Sequence, residues 1–206
     1  MNHNKSEEPK TFTDFLRRIF KNFLNRIAGF FNKIGVKPNY ITLAGLVGNL
    51  IAGVFIARGM LLWGGLIALI AGPFDALDGA IARLRGEDGS YGAFVDSVTD
   101  RYSEIALYGG LLVYFNQTGN WGDALLVFFS AIGSILVSYT RARAEALGYS
   151  AKIGLLTRVE RYLILIPGII IGYPRIALWI LAILTNFTAL QRIFYVRKQS
   201  RRDKEL

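Results

Sequence analysis

The chain has 206 residues, of which 52% are hydrophobic, and its formal net charge is +9. Its mean hydropathy of +0.35 is typical of membrane proteins rather than soluble ones. There is no cysteine, and the only histidine is His3 in a polar N-terminal stretch. A disulfide framework and a thiol nucleophile are thereby excluded, and a histidine-centred site is disfavoured, which leaves carboxylates for any chemistry.

The first segment with a helical period spans residues 11–34. Apolar residues, many of them aromatic, recur there at helical spacing with basic residues between them. An aromatic face opposite a basic face predicts an amphipathic helix in the interface of an anionic leaflet. A helix packed on protein partners is the alternative. Residues 1–10 are polar, and no uninterrupted apolar run follows them, so we expect no signal peptide.

Six apolar segments follow, each close to the roughly 20 residues needed to cross a bilayer. They are 41–57, 61–82, 94–115, 121–139, 159–172 and 173–194. The sequence therefore predicts an all-α membrane protein, in which six transmembrane helices are preceded by the N-terminal amphipathic interfacial helix. It divides into a polar tail with that helix (1–36), a six-helix transmembrane domain (37–196) and a basic cytoplasmic tail (197–206).

The basic residues lie on one side of these segments. Of the 24 Lys and Arg residues, only Arg58 and Arg175 fall on the opposite side. The positive-inside rule then places both termini on the cytoplasmic side of a multi-pass protein, in the inner membrane of the cell. The charge of +9 is thus explained by membrane topology, and we expect the lipid bilayer and not nucleic acid as a partner.

Four aspartates stand among the apolar segments. Asp75 and Asp78 are three residues apart and Asp96 and Asp100 four apart, so each pair falls on one helix face. The glycine-rich stretch 86–92 between the pairs predicts a tight turn. Helix capping would explain one aspartate at each helix start but not two pairs. An aspartate in mid-membrane also costs roughly 2.5–3.5 kcal/mol. Four converging carboxylates require cations, and hard oxygen ligands suit Mg²⁺ or Mn²⁺.

Such a site fits the chemistry of a lipid-linked diphosphate. Divalent ions neutralise phosphate oxygens, and a carboxylate can activate an attacking hydroxyl. Gly79 lets a ligand approach the helix backbone, and Arg83 could meet a phosphate. An aspartate-rich prenyltransferase would have two separate Asp-rich loops, and an ion-coupled transporter two matching hydropathy halves. Here the polar residues form a single cluster in the sequence, which favours an enzyme with one compact motif over both alternatives.

The aspartate stretch also resembles a family motif. It has the pattern Asp-x2-Asp-Gly-x2-Ala-Arg-x8-Gly-x3-Asp-x3-Asp, filled by Asp75, Asp78, Gly79, Ala82, Arg83, Gly92, Asp96 and Asp100. Every fixed position matches that of the CDP-alcohol phosphatidyltransferases. The resemblance implies transfer of a phosphatidyl or related group from a CDP-linked lipid, such as CDP-diacylglycerol, to an alcohol hydroxyl, with release of CMP. It also implies a homodimer, which small-residue spacings such as Ala44/Gly48 would support.

The resemblance assigns roles to these residues. Asp75, Asp78 and Asp96 would hold two divalent ions, Mg²⁺ or alternatively Mn²⁺. Asp100 would complete the metal site and act as general base. A segment from Pro38 resembles the family's Pro-Asn/Asp-x-x-Thr at the first spanning helix. In some relatives a threonine lies three residues before the motif's third glycine, and this chain has Gly89 there, with a serine beside it. The implied CDP-lipid site consists of Asn39, Thr42, Gly79, Ala82, Arg83, Ser90 and Gly92.

The acceptor is indicated by two further segments. Residues 138–145 and 158–161 are similar to parts of phosphatidylinositol-phosphate synthases, in which basic residues hold the phosphate of inositol phosphate. The implied phosphate ligands are Arg141, Arg158, Arg161 and Arg192. Thr157 departs from the pattern, because those enzymes usually carry Glu there. Glycerol 3-phosphate is the alternative acceptor, and positive-inside anchoring is the alternative role of each arginine.

Overall fold

The computed structural model describes residues 12–87, 89–117 and 119–202, with side chains from residue 22 onward. Regular structure in this part of the chain is entirely helical. The described residues form eight helices in succession. Residues 1–11 and 203–206, which include most of the predicted polar and basic tails, lie outside the described residues. The helices are α1 Phe12–Lys33, α2 Pro38–Ala57, α3 Leu61–Ala71, α4 Phe74–Arg85, α5 Ser90–Gln117, α6 Trp121–Ala146, α7 Arg158–Ile170 and α8 Pro174–Arg202.

Four helical stretches are long and apolar enough to cross a membrane. They are Pro38–Ala57, Leu61–Arg85, Trp121–Ala146 and Pro174–Arg202, of which the second comprises α3 and α4 together. The protein is therefore a helical membrane protein. The other two predicted spans correspond to α5, whose first half carries several charges, and to α7, which has 13 residues. Neither meets the same criterion of length and apolarity.

Several boundaries differ from those predicted. The segment 61–82 is broken between α3 and α4 at Gly72 and Pro73, where proline has no N–H to continue the helical ladder. α6 continues past the predicted end at residue 139, and α8 continues past the predicted end at residue 194. Basic and polar residues occupy these extensions. The extensions are helical, but they were not predicted because the prediction followed apolar residues. The first described part of the basic tail is thus the end of α8.

The membrane helices approach each other closely at glycines. A Cβ on Gly53 of α2 would lie 2.5 Å from the carbonyl oxygen of Ala106 on α5, and a Cβ on Gly48 would lie 2.8 Å from the Cβ of Ala71 on α3. Small residues permit such backbone contact in a membrane. Gly48 and Gly53 of α2 are therefore used for packing within the chain.

α1 packs beside the start of the bundle. Ala28 is fully buried and forms a small apolar cluster with Leu77 and Ile81 of α4, and Arg85 Nε donates to Asn32 Oδ1 over 2.7 Å. Phe23 remains largely exposed. One side of α1 thus contacts α4, which carries two of the four aspartates, while aromatic residues on other sides stay available to lipid.

Candidate active site

Three of the predicted metal ligands meet where α4 begins and α5 passes. Oxygen atoms of Asp75, Asp96 and Asp100 lie within 4.8 Å of one another. The break at Gly72 and Pro73 places Asp75 in the first turn of α4, where exposed N–H groups favour a carboxylate. Asp96 and Asp100 are one turn apart on α5 and present their carboxylates on the same face.

This group fits a divalent cation. All donors are carboxylate oxygens, which are the ligands that Mg²⁺ and Mn²⁺ prefer. Oδ1 of Asp96 is buried without a hydrogen-bond partner in the described part of the chain. A buried acceptor without a donor is costly, and a cation would satisfy it. Asp75, Asp96 and Asp100 are therefore able to hold a divalent metal ion.

The fourth predicted ligand, Asp78, is placed differently. Its side chain is 4% exposed and lies outside the three-carboxylate group. Oδ2 accepts a hydrogen bond from the hydroxyl of Thr42 on α2, and Oδ1 accepts from the main-chain N–H of Gly79 over 2.5 Å. The structure thus joins Asp78 to Thr42, a residue predicted for the CDP-lipid, and it leaves Asp78 one turn below Asp75 on α4.

The remaining predicted CDP-lipid residues border open space. Of the described residues, a Cβ on Gly79 would meet only the Arg83 guanidinium, at 3.4 Å, and a Cβ on Gly92 would meet none within 4 Å. Ala82 is half-buried on the same face of α4 as Gly79. Ser90 begins α5 and is exposed. Asn39 is exposed in the first turn of α2.

Arg158 is the one predicted acceptor residue that reaches the carboxylates. It begins α7, and its Nη1 lies 2.6 Å from Oδ1 of Asp75. Its Nη2 lies 2.5 Å from Oδ1 of Asp100. A single guanidinium thereby bridges α4 and α5. Such a charge-assisted pair offsets part of the repulsion between the two carboxylates.

The other three predicted acceptor arginines contact protein groups. Arg161 is buried and pairs with Glu104 of α5. Arg192 is buried and donates to two main-chain carbonyl oxygens, those of Ile153 and Val137. Arg141 is exposed on α6 and pairs with the glutamate one turn later. The structure therefore brings only Arg158, of these four, into contact with the aspartate group.

The family model for CDP-alcohol phosphatidyltransferases matches residues 36–190, a region that contains the whole aspartate group. The chain belongs to this family. It is accordingly an enzyme of the CDP-alcohol phosphatidyltransferase class, and this membership gives no support to the transporter alternative.

The relatives of this phosphatidyltransferase include proteins named as phosphatidylinositol phosphate synthases. It is 36% identical over 204 residues to a phosphatidylinositol phosphate synthase of Streptomyces avermitilis, covering 90% of this chain and 82% of the relative. The phosphatidylinositol phosphate synthase of Mycobacterium tuberculosis with CDP-DAG bound superposes with a TM-score of 0.80 at 27% identity, over 85% and 94% of the two chains. The same enzyme in complex with manganese and citrate gives 0.79 at 28% identity, over 84% and 88%.

Two residues beside the candidate site were not predicted from the sequence. Glu104 lies four residues after Asp100 and continues the acidic face of α5 to Arg161. Its spacing from Asp100 was a usable signal. Tyr162 lies four residues after Arg158 on α7, and its hydroxyl donates to the carbonyl oxygen of Ala68 across Gly72. Nothing in the local sequence indicated that contact, because it depends on how α7 packs against the break between α3 and α4.

Proposed function

We propose that the protein transfers a phosphatidyl group from CDP-diacylglycerol to the hydroxyl of an inositol phosphate and releases CMP, as a step of phospholipid synthesis. The observation that carries this proposal is the meeting of Asp75, Asp96 and Asp100 within 4.8 Å, with the Arg158 guanidinium against two of them. Relatives named phosphatidylinositol phosphate synthase cover most of the chain, which supports the choice of donor and acceptor.

The donor would lie along α4 beside the start of α5. Gly79 and Ala82 offer a surface without large side chains, and Arg83 stands next to Gly79, where a diphosphate oxygen would meet it. The hydrogen bond from Thr42 to Asp78 fixes the beginning of α2 against this surface. Asn39, Ser90 and Gly92 would contribute the remaining contacts.

Two Mg²⁺ ions, or Mn²⁺ in their place, would be held by Asp75, Asp78, Asp96 and Asp100. When bound, these ions would neutralise the negative charge on the diphosphate oxygens. The manganese complex of the Mycobacterium tuberculosis relative supports a divalent metal. Asp78 would have to turn from Thr42 or share its oxygens to join the other three, since its carboxylate now accepts from Thr42 and from its neighbour's N–H.

Asp100 would act as the general base. It is 9% exposed and belongs to the carboxylate group, so a hydroxyl bound there would face it. The carboxylate takes the proton of the acceptor hydroxyl while that oxygen attacks the lipid-side phosphorus. A new phosphorus–oxygen bond forms, the bond to CMP breaks, and CMP leaves with the electron pair. Arg158, which contacts Asp100, would hold the phosphate of the acceptor. The positive charges of Arg141, Arg161 and Arg192 would favour a phosphorylated acceptor from farther away.

The setting we propose is the inner cell membrane, with both termini and the active site on the cytoplasmic side. α5 and α7 would complete six transmembrane helices beside the four apolar ones, and α1 would lie in the interface. The three-part division at 36 and 196 belongs to the same proposal, as does assembly into a homodimer. Basic residues at both chain ends support this orientation.

The test is CMP release by purified protein with CDP-diacylglycerol and Mg²⁺, one acceptor in each reaction. The acceptors are inositol 1-phosphate, glycerol 3-phosphate, inositol, serine and none, and an Asp75→Asn variant gives the background. Release with inositol 1-phosphate alone supports the proposal. Release with glycerol 3-phosphate alone keeps the reaction and overturns the acceptor. Release in every tube, including the one without acceptor, would indicate hydrolysis.

A further inference from the structure

Arg158 lies against the oxygens that a metal ion would need. Its two terminal nitrogens are 2.6 Å and 2.5 Å from Oδ1 of Asp75 and of Asp100. Both carboxylates belong to the group of three able to share an ion. Mg²⁺ binds carboxylate oxygen at about 2.0–2.1 Å, and two cations placed on the same oxygens repel one another. A guanidinium and a metal ion therefore compete for this position.

We propose that Arg158 is an internal counter-cation of the aspartate group, which a divalent ion displaces and which then binds the phosphate of the acceptor. The second part, in which the displaced Arg158 binds the acceptor phosphate, rests on the proposed function. The competition itself rests only on the geometry of Arg158, Asp75 and Asp100.

Arg158 is suited to change partners, unlike the two buried arginines near it. About 31% of its side chain is exposed. The guanidinium can therefore leave the two carboxylates by turning toward solvent, where water satisfies its donors. Arg161 would leave Glu104 buried without its cation if it moved, at a large cost. Arg192 is held by two main-chain carbonyl oxygens. The exchange therefore falls to the residue at the first position of α7.

The exchange couples two binding events. A metal ion that frees Arg158 strengthens the binding of a phosphorylated acceptor, and linkage requires the acceptor to strengthen metal binding by the same factor. The acceptor phosphate would bind poorly while Arg158 bridges Asp75 and Asp100. Metal therefore favours the acceptor before any chemistry occurs, and the acceptor site is completed only on an enzyme loaded with metal.

The test is a titration of the full-length protein in nanodiscs with Mn²⁺, in which free Mn²⁺ is followed by its electron paramagnetic resonance signal. Arg158→Gln removes the competitor, and we expect its Kd for Mn²⁺ to fall about fivefold or more. Arg143→Gln is the matched control, because it removes the same charge from an exposed position of α6, and its Kd should stay within about twofold of wild type. Equal Kd values in all three proteins would overturn the proposal.

Arg158→Lys guards against misfolding of the glutamine variant. It keeps the charge, but one ammonium lacks the planar fork that spans two carboxylates, so its Mn²⁺ affinity should fall between those of wild type and Arg158→Gln. Thermal unfolding with and without Mn²⁺ checks that each variant is folded, and a larger stabilisation by Mn²⁺ is expected for the variant that binds it more tightly. A lysine variant that binds Mn²⁺ no better than wild type, with a glutamine variant equal to both, contradicts competition.

The coupling is tested by repeating the titration with saturating inositol 1-phosphate, and separately with inorganic phosphate. In the wild type either phosphate should tighten Mn²⁺ binding, and in Arg158→Gln this effect should vanish. A tighter Kd in Arg158→Gln with no effect of either phosphate in the wild type would overturn the release to the acceptor while the competition stands. Neither measurement needs turnover, so failure of the CMP-release assay is distinguishable from failure of this inference.

Discussion

Glu104 of α5 and Arg161 of α7 form a two-bonded ion pair. Nε of Arg161 donates to Oε1 over 2.8 Å and Nη2 donates to Oε2 over 3.1 Å. Nη2 also lies 3.4 Å from the hydroxyl of Ser138 on α6, so the pair joins three helices. It lies one turn along each helix from Asp100 and Arg158, whose own pair bridges the same two helices. The acidic face of α5 is thus matched by the basic start of α7.

Breaking this pair should destabilise the protein strongly. Glu104→Gln leaves the Arg161 charge buried without a counter-ion, for which we expect a loss of about 3–5 kcal/mol of unfolding free energy. The measurement is thermal unfolding in detergent, read as a lowered melting temperature. Glu145→Gln removes an equal charge from an exposed pair, and it should cost no more than about 1 kcal/mol. Similar melting temperatures for the two variants would contradict a supporting role for Glu104.

The break between α3 and α4 gives a second prediction. A Cβ on Gly72 would lie 2.6 Å from ring atoms of Tyr162, whose hydroxyl bonds to Ala68. Gly72→Ala should push α7 away and move Arg158 from Asp75. Since displacements of about 1 Å can cost a hundredfold in rate, we expect CMP release to fall about tenfold to a hundredfold.

The control for this substitution lies on α5. A Cβ on Gly109 would meet no atom of the described residues within 4 Å, so Gly109→Ala adds the same methyl group in a helix without a clash. Its CMP release and melting temperature should match those of the wild type. Equal activity of Gly72→Ala and Gly109→Ala would show that the position of α7 does not depend on the Gly72–Tyr162 contact.

The aspartate group was predictable because its signal is local. Spacings of three and four residues place Asp75 with Asp78 and Asp96 with Asp100 on helix faces, and charged residues in apolar surroundings are conspicuous. The pairing of three of these carboxylates across α4 and α5 follows from the glycine-rich turn, which ends α4 at Gly86 in a left-handed conformation with φ of +65°.

The arginines were less predictable because their partners are distant in sequence. Arg158 meets Asp75, Arg161 meets Glu104 and Arg192 meets the carbonyl oxygens of α6 and the connection before α7. Their charge alone fits phosphate binding and membrane topology equally well. Which arginine contacts the carboxylates depends on the packing of α7, and no local pattern encodes that packing. Helix ends were missed for a related reason, since α6 and α8 continue as polar helix beyond their apolar parts.

Thr42 should affect the donor rather than the acceptor. Its hydroxyl donates to Asp78, so Thr42→Val leaves a buried carboxylate with one donor fewer, which costs about 1–3 kcal/mol at that group. We expect the KM for CDP-diacylglycerol to rise about fivefold or more and the acceptor KM to stay unchanged.

The matched substitution is Thr42→Ser, which keeps the hydroxyl and should restore the donor KM. Thr140→Val tests the loss of a threonine hydroxyl elsewhere, because among the described residues Thr140 bonds only to carbonyl oxygens of its own helix. A donor KM that is equal in Thr42→Val and Thr140→Val would remove Thr42 from the donor site.

Asp100→Asn separates proton transfer from donor binding. The amide has nearly the shape of the carboxylate and still accepts a hydrogen bond from Arg158, but it cannot take the proton of the acceptor hydroxyl. Because general base catalysis contributes a factor of about 10²–10⁴ to the rate, the rate of CMP release should fall at least a hundredfold. Binding of CDP-diacylglycerol, measured by displacement of a labelled CDP-lipid, should change much less.

Glu145→Gln, the same acid-to-amide change on the exposed face of α6, should leave both quantities as in the wild type. Full CMP release by Asp100→Asn would assign the base to another group, and loss of donor binding together with turnover would assign Asp100 to holding the diphosphate.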